Sequence, residues 1–148
     1  MQMKQTQSSA NGGGTPVLSL EARGGCWRLY QSTSVEASSD TRELWSGQAS
    51  KNLWTRFSFD VVYSQDPSKG YVKLYADLNG DGDTADAEAQ SPGINAYTLK
   101  RELRRKGGVA PGESIPSHLR VGIYHNPTIP CPTGCSGDVD NAQILAAG

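Results

Sequence analysis

The chain has 148 residues, with 14 Lys and Arg against 15 Asp and Glu and a formal net charge of -1. That length supports one domain with a real core, and the charge balance excludes the global basic field that draws nucleic acid. Charged residues make up 20% and glycine numbers 17, a soluble, loop-rich composition, and no apolar run approaches the ~18 residues needed to cross a bilayer.

In chain order, "MQMK" opens with Gln2 and Lys4 alternating with Met1 and Met3. The opening "MQMKQTQSSANGGG" has no apolar central region and so does not read as a secretory leader. "TPVLSLEA" (15–22), "CWRLYQ" (26–31), "RELWSG" (42–47), "LWTRFSFDVVYSQ" (53–65) and "GYVKLYADL" (70–78) then read as strands. They are rich in β-branched and aromatic residues, several alternate, and clusters of Gly, Pro, Ser or Asp separate them. Phe57, Phe59, Val61 and Tyr63 share one face, as do Val72, Leu74 and Ala76, and "DPSKG" (66–70) joins the two strands as a short hairpin. "YTLKRELRRKGG" (97–108) is the one stretch suited to a helical turn, which Gly107 and Gly108 would stop. "HLRVGIYHN" (118–126) and "DVDNAQILAA" (138–147) are the last two predicted strands. No repeat period appears. The expected fold is all-β, two antiparallel sheets packed face to face.

Two stretches suggest ion chemistry. In "DLNGDGDTADAE", Asp77, Asn79, Asp81, Asp83 and Glu88 place hard oxygen donors at calcium-loop spacing, with Gly82 at the sharp turn. A strand precedes them instead of a helix, so this is at most an EF-like loop with a structural calcium ion, distant from any chemistry. The alternative is an acidic, solvated hairpin tip. "KRELRR" (100–105) carries Arg104 and Arg105 among five nearby cations. It reads as a solvated charged face, or as a cationic wall if the ligand is polyanionic.

Of the three cysteines, Cys131 and Cys135 flank a Pro–Thr–Gly turn, so a small disulfide loop ranks above zinc, for which only His118 and His125 supply imidazole. A disulfide favours an oxidising, extracellular setting. Cys26, beside Trp27 in a strand, reads as a packed thiol, not a nucleophile.

"HLRVGIYHNP" (118–127) holds the sharpest signal. On an extended strand Leu119, Val121 and Ile123 point one way, while His118, Arg120 and Tyr124 point the other across Gly122. This stretch resembles the lysine–x–glycine–x–tyrosine strand of jelly-roll polysaccharide lyases, the heparin lyase I-like and alginate lyase-like enzymes. "MQMK" resembles their glutamine strand, which in many members reads Gln-x-His. "LWTRFSFDVVYSQDPSKGYVKLYADLNGDGD" resembles their Trp-initiated hairpin, and "GDVDNAQI" their closing strand. The likeness runs from Gln2 to about Ile144. The Trp hairpin occurs in many lectin-like sandwiches and supports fold alone; the Gly-x-Tyr strand together with the Gln strand is more specific.

The resemblance implies a concanavalin A-like jelly roll and metal-independent β-elimination on an acidic polysaccharide of alginate, glucuronan or glycosaminoglycan type. Such chemistry must quiet the uronate carboxylate, remove the C5 proton and protonate the leaving oxygen. It implies Tyr124 as acid and base, Arg120 lowering the cost of its anion, and Gln2 hydrogen-bonding the substrate carboxylate. Lys4 stands where many members have His and serves as a charge neutraliser, since an ammonium is a poor base unless its pKa is strongly lowered. His118, His125, Asn126, Arg104 and Arg105 follow as substrate contacts. Because such lyases have further strands before the Gln strand, residues 1–148 are expected to be a single domain, the C-terminal portion of a longer family domain. A carbohydrate-binding sandwich that keeps the fold without the reaction is the competing class.

Overall fold

The structure, a computed structural model, describes residues 2–5, 16–32, 41–50, 52–64, 66–83, 90–95, 98 and 117–121, and of 2–5, 32, 95 and 117–120 the backbone alone. Eight strands are present: β1 (Gln2–Gln5), β2 (Leu18–Arg23), β3 (Cys26–Ser32), β4 (Thr41–Gln48), β5 (Arg56–Val62), β6 (Tyr71–Asp77), β7 (Ile94–Asn95) and β8 (Ser117–Arg120). There is no helix among the described residues, and the strands form two antiparallel sheets of a β-sandwich. One sheet has the order β4-β3-β2-β1-β8, the other β5-β6-β7.

Local chemistry sets the hairpins. Gly24 and Gly25 connect β2 to β3 with φ of 61° and 77°, and Arg23 pairs with Cys26 across them. A two-residue turn with both central residues at positive φ matches the right-handed twist of the flanking strands, and glycine takes that conformation without a Cβ clash. The β5–β6 connection closes through Asp66, whose carbonyl accepts from the Lys69 and Gly70 amides. Its carboxylate accepts from the backbone N–H of Ser68. The predicted 66–70 hairpin is thus present.

Alternation sets the core. Leu18 and Leu20 of β2, Leu29 of β3 and Trp45 of β4 share a buried cluster with Val72, Leu74 and Ala76 of β6, the last three fully buried. The pairing shifts at Leu29/Tyr30, and there both Leu44 and Trp45 reach the core, as an extra residue in one strand of a bulge permits. Trp27 meets Phe57 edge-on across the sandwich, ring centroids 4.9 Å apart.

The segment after the 77–83 loop completes the second sheet by an irregular route. Tyr71 and Val72 pair with β7, and Tyr75 bridges to Gln90. Between them the Leu74 amide donates to the Ser91 hydroxyl at 2.8 Å, and the Ser91 amide returns a bond to the Leu74 carbonyl. Thr98 clamps the end of β5, donating to the Val62 carbonyl at 2.6 Å and accepting from the Ser64 amide at 2.7 Å. These side chains satisfy backbone groups that a short, broken edge strand leaves over.

Three details differ from the sequence reading. Tyr63 lies past the end of β5 and is 50% exposed, so it does not continue the Phe57–Phe59–Val61 face. Val121, expected on the core side, follows the end of β8 and is 42% exposed. β7 is two residues long and is not among the predicted strands. Of the 97–108 stretch, Thr98 alone is described, in neither helix nor strand; the predicted 138–147 strand and Cys131 and Cys135 lie outside the described residues. Cys26 is half-buried and free.

Two substitutions test the packing. Leu74→Ala should lower unfolding free energy by about 2–5 kcal/mol, the range for a fully buried large-to-small change. In Gly47→Ala the new methyl would fall 2.6 Å from Trp45 Cζ2 and 2.9 Å from Leu78 Cδ1, an overpacking that should cost about 1–3 kcal/mol. Denaturant titration reads both; a neutral Gly47→Ala would mean that the Trp45 ring is free to move.

Candidate functional site: the polar face of the five-stranded sheet

The five-stranded sheet has two unlike faces. β2 and β3 alternate so that Leu18, Leu20, Trp27 and Leu29 pack inward, while Ser19, Glu21, Arg28 and Tyr30 take the other face. β1 lies between β2 and β8. Its register pairs Gln2 with Ser19 and with Arg120, and Lys4 with His118. Met3 pairs with Leu18 and Leu119. Directly paired residues of an antiparallel ladder occupy the same face, so Gln2, Lys4, His118 and Arg120 fall together on the face of Ser19 and Tyr30. Four of the residues singled out from sequence are therefore brought onto one surface.

The pairing continues across the sheet. Ser19 pairs with Tyr30, and Tyr30 with Glu43. A single row thus runs through all five strands: Glu43, Tyr30, Ser19, Gln2, Arg120. At about 4.8 Å per strand, its four gaps span roughly 19 Å. Ser19, at its centre, is 7% exposed, and its hydroxyl donates to Glu21 at 2.9 Å.

Arg28, Tyr30 and Glu43 form a charged cluster that the sequence reading missed. Arg28 Nη1 donates to Glu43 Oε2 at 2.6 Å. That hydrogen bond, with the attraction between the charges, holds the guanidinium's pKa above and the Glu43 carboxyl's below its ordinary value. The Tyr30 hydroxyl adds a smaller hydrogen-bonding contribution to both. Arg28 Nε is buried and has no hydrogen-bond partner among the described residues. In "CWRLYQ" alternation already sets Arg28 and Tyr30 opposite Trp27 and Leu29; the missing information was which residues of β4 face them, and the bulge decides that.

Tyr124, His125, Asn126, Arg104 and Arg105 lie outside the described residues.

With this geometry in place, comparison with known proteins is informative in one respect. A family model described as polysaccharide lyase matches residues 1–145. The chain belongs to the polysaccharide lyase family. No curated protein and no solved structure matches it. Membership of that family implies a polysaccharide substrate, and a polar row some 19 Å long, at about 4.8 Å per strand, suits an extended polymer.

The acidic loop after β6 is organised by its own backbone. Asp77, 4% exposed, accepts from the Gly80 amide at 2.7 Å and the Gly82 amide at 2.9 Å, one on each carboxylate oxygen. The Asn79 side chain donates through Nδ2 to the Asp81 carboxylate and accepts at Oδ1 from the Asp81 backbone N–H, and the Asp83 backbone N–H donates to the Asp81 carboxylate. The last contact, then Asn79, lowers the Asp81 pKa. Among the described residues no group of three or more His, Cys, Asp or Glu is placed to hold a metal ion; Glu88 lies outside them.

The Arg28–Glu43 pair gives a pH test. A depressed carboxyl pKa means that the pair supports the fold above the unfolded carboxylate range, and that this support is lost as pH falls through the lowered Glu43 value. Carboxyl NMR should show Glu43 ionising below the ordinary value of about 4.3, with Arg28→Gln restoring it. A Glu43 midpoint indifferent to Arg28→Gln would dissolve the pair as an energetic unit.

Proposed function

We propose that this polysaccharide lyase is of the jelly-roll, heparin lyase I-like and alginate lyase-like kind. It cleaves an acidic, uronate-containing polysaccharide by β-elimination on the polar face of the five-stranded sheet. The observation that carries the reading is the register of β1, which pairs Gln2 with Arg120 and Lys4 with His118. Residues from opposite ends of the sequence, each of a type the reaction needs, occupy one face.

In the proposed reaction the C5–H bond breaks and the C4–O bond breaks, leaving a C4=C5 double bond on one product and a protonated hydroxyl on the other. Negative charge builds on the carboxylate of the reacting uronate, and stabilising it is the largest demand. Gln2 hydrogen-bonds that carboxylate and Lys4 offsets its charge. Tyr124 takes the C5 proton as phenolate and returns a proton to the leaving oxygen. Arg120 makes the phenolate less costly to form, as an adjacent cation does. His118, His125, Asn126, Arg104 and Arg105 are the proposed substrate contacts. The proposed setting is extracellular, in keeping with a Cys131–Cys135 disulfide.

A structural calcium ion on the 77–88 loop belongs to the same proposal. The donors are of the hard-oxygen kind calcium takes, although both Asp77 oxygens already accept backbone N–H groups. The melting temperature should rise with calcium and fall with chelator in the wild type but not in Asp81→Ala. No calcium response in the wild type would leave a loop closed by its own hydrogen bonds.

The ultraviolet absorbance of an unsaturated uronate, followed over alginate, glucuronan, heparin and chondroitin, tests the activity. Tyr124→Phe should lower kcat by at least about 10²-fold, the low end for a positioned acid–base group, with polysaccharide binding retained. Arg120→Ala should weaken binding and rate together, with an effect that shrinks as salt rises. Near-normal turnover in Tyr124→Phe would overturn the acid–base assignment. Absence of cleavage across the panel would favour a carbohydrate-binding sandwich.

A further inference from the structure

The charge on the polar face is distributed unevenly. Over β1 and β8 the face positions are Gln2, Lys4, His118 and Arg120, which include two permanent cations and no carboxylate. Over β2, β3 and β4 the same face carries Glu21 and Glu43 against Arg23 and Arg28. That end is neutral, and its best-placed cation is already committed, since Arg28 is held by Glu43 at 2.6 Å.

Resting on the lyase reading, we infer that the face takes its polymer with an acidic sugar over β1–β8 and an uncharged, hydroxyl-bearing sugar over β3–β4. The substrate class is then a polysaccharide in which uronates alternate with neutral residues, not a homopolyuronate. Arg28 is a specificity-determining residue that reads hydroxyl groups, and Glu43 is the positioning residue that prevents it from binding a carboxylate.

Three features support this division. A free guanidinium matches a carboxylate with a planar, two-pronged fork; Glu43 occupies that capacity from within the protein. Glu43 and Glu21 repel a second carboxylate, and discrimination by an unfavourable charge is as effective as added attraction. Tyr30 lies in the row between Glu43 and Ser19 and contributes hydrogen bonding to both members of the ion pair. Its ring offers an apolar body with a polar tip at the position where a neutral sugar would rest.

The experiment reads binding without turnover. Oligosaccharides of matched length from unsulfated chondroitin (uronate alternating with an uncharged hexosamine) and from glucuronan (uronate throughout) are titrated calorimetrically into Tyr124→Phe protein, with and without Glu43→Gln. Without Glu43→Gln, the alternating oligosaccharide should bind about tenfold more tightly, the scale of one mismatched charge. Adding Glu43→Gln frees Arg28 and removes the repelling carboxylate, so the ratio should fall toward one, mainly through a gain for glucuronan. Equal or reversed preference in the Glu43 protein overturns the inference whether or not Glu43→Gln folds; so does a ratio that Glu43→Gln leaves unchanged, or failure of both oligosaccharides to bind. Cleavage is assayed separately on the wild type. Chondroitin preference without cleavage of any polymer sinks the lyase reading and leaves the charge division standing. Cleavage with glucuronan preference does the opposite.

Discussion

The register of β1 between β2 and β8 is the constraint on which the arrangement of the polar face depends. β1 is four residues long, yet it is paired on both sides, Gln2 with Ser19 and with Arg120, Met3 with Leu18 and with Leu119. Strand side chains have a period of two, so a slip of one residue would carry Met3 to the polar face and Gln2 and Lys4 toward the core. The apolar neighbours of Met3 and the polar neighbours of Gln2 penalise that slip from both directions. A four-residue strand is thereby set in place by the ladders on either side.

The second sheet supplies the reason the first can hold an asymmetric face. Val72, Leu74 and Ala76 are fully buried against Leu18, Leu20, Leu29 and Trp45, and Trp27 and Phe57 close the sandwich edge-on. Packing at this density tolerates little change in volume, which binds the twist and spacing of β2, β3 and β4 to the core. The outward positions inherit that order. Arg28 and Glu43 meet because the bulge at Leu29/Tyr30 fits Leu44 and Trp45 to the core on one side and brings Glu43 opposite Tyr30 on the other. Core packing and the charge pair are two consequences of the same extra residue.

Polar side chains perform backbone work where strands are too short to do it. Ser91 and Thr98 each exchange hydrogen bonds with strand backbone, and Asp77 gathers two loop amides at the end of β6. A buried donor without an acceptor costs about 1–3 kcal/mol, so these contacts let the chain leave regular pairing and still enclose its core. They also make Asp77 a structural residue first, whatever ion its neighbours take up.

Much of this was legible in the chain itself. Period-two alternation and the Gly, Pro, Ser and Asp breaks marked β2 to β6, and "DPSKG" marked the β5–β6 hairpin, because local sterics and the division between apolar and polar surface act over a few residues. The same alternation put Gln2 with Lys4 and His118 with Arg120 before any pairing was known. Other features had no local signal. Tyr63 and Val121 fit an apolar face by parity but lie beyond the strand ends that pairing sets. β7 pairs with the edge of β6 over two residues, too short a run to be read as a strand from sequence. The contact of β1 with β8 joins residues more than a hundred positions apart, and the Arg28–Glu43 pair rests on a bulge that core packing selects. Sequence alone determined which side chains share a strand face, since that follows from backbone geometry. Tertiary structure decided which faces are neighbours, since that follows from long-range pairing and from the volume the core must fill.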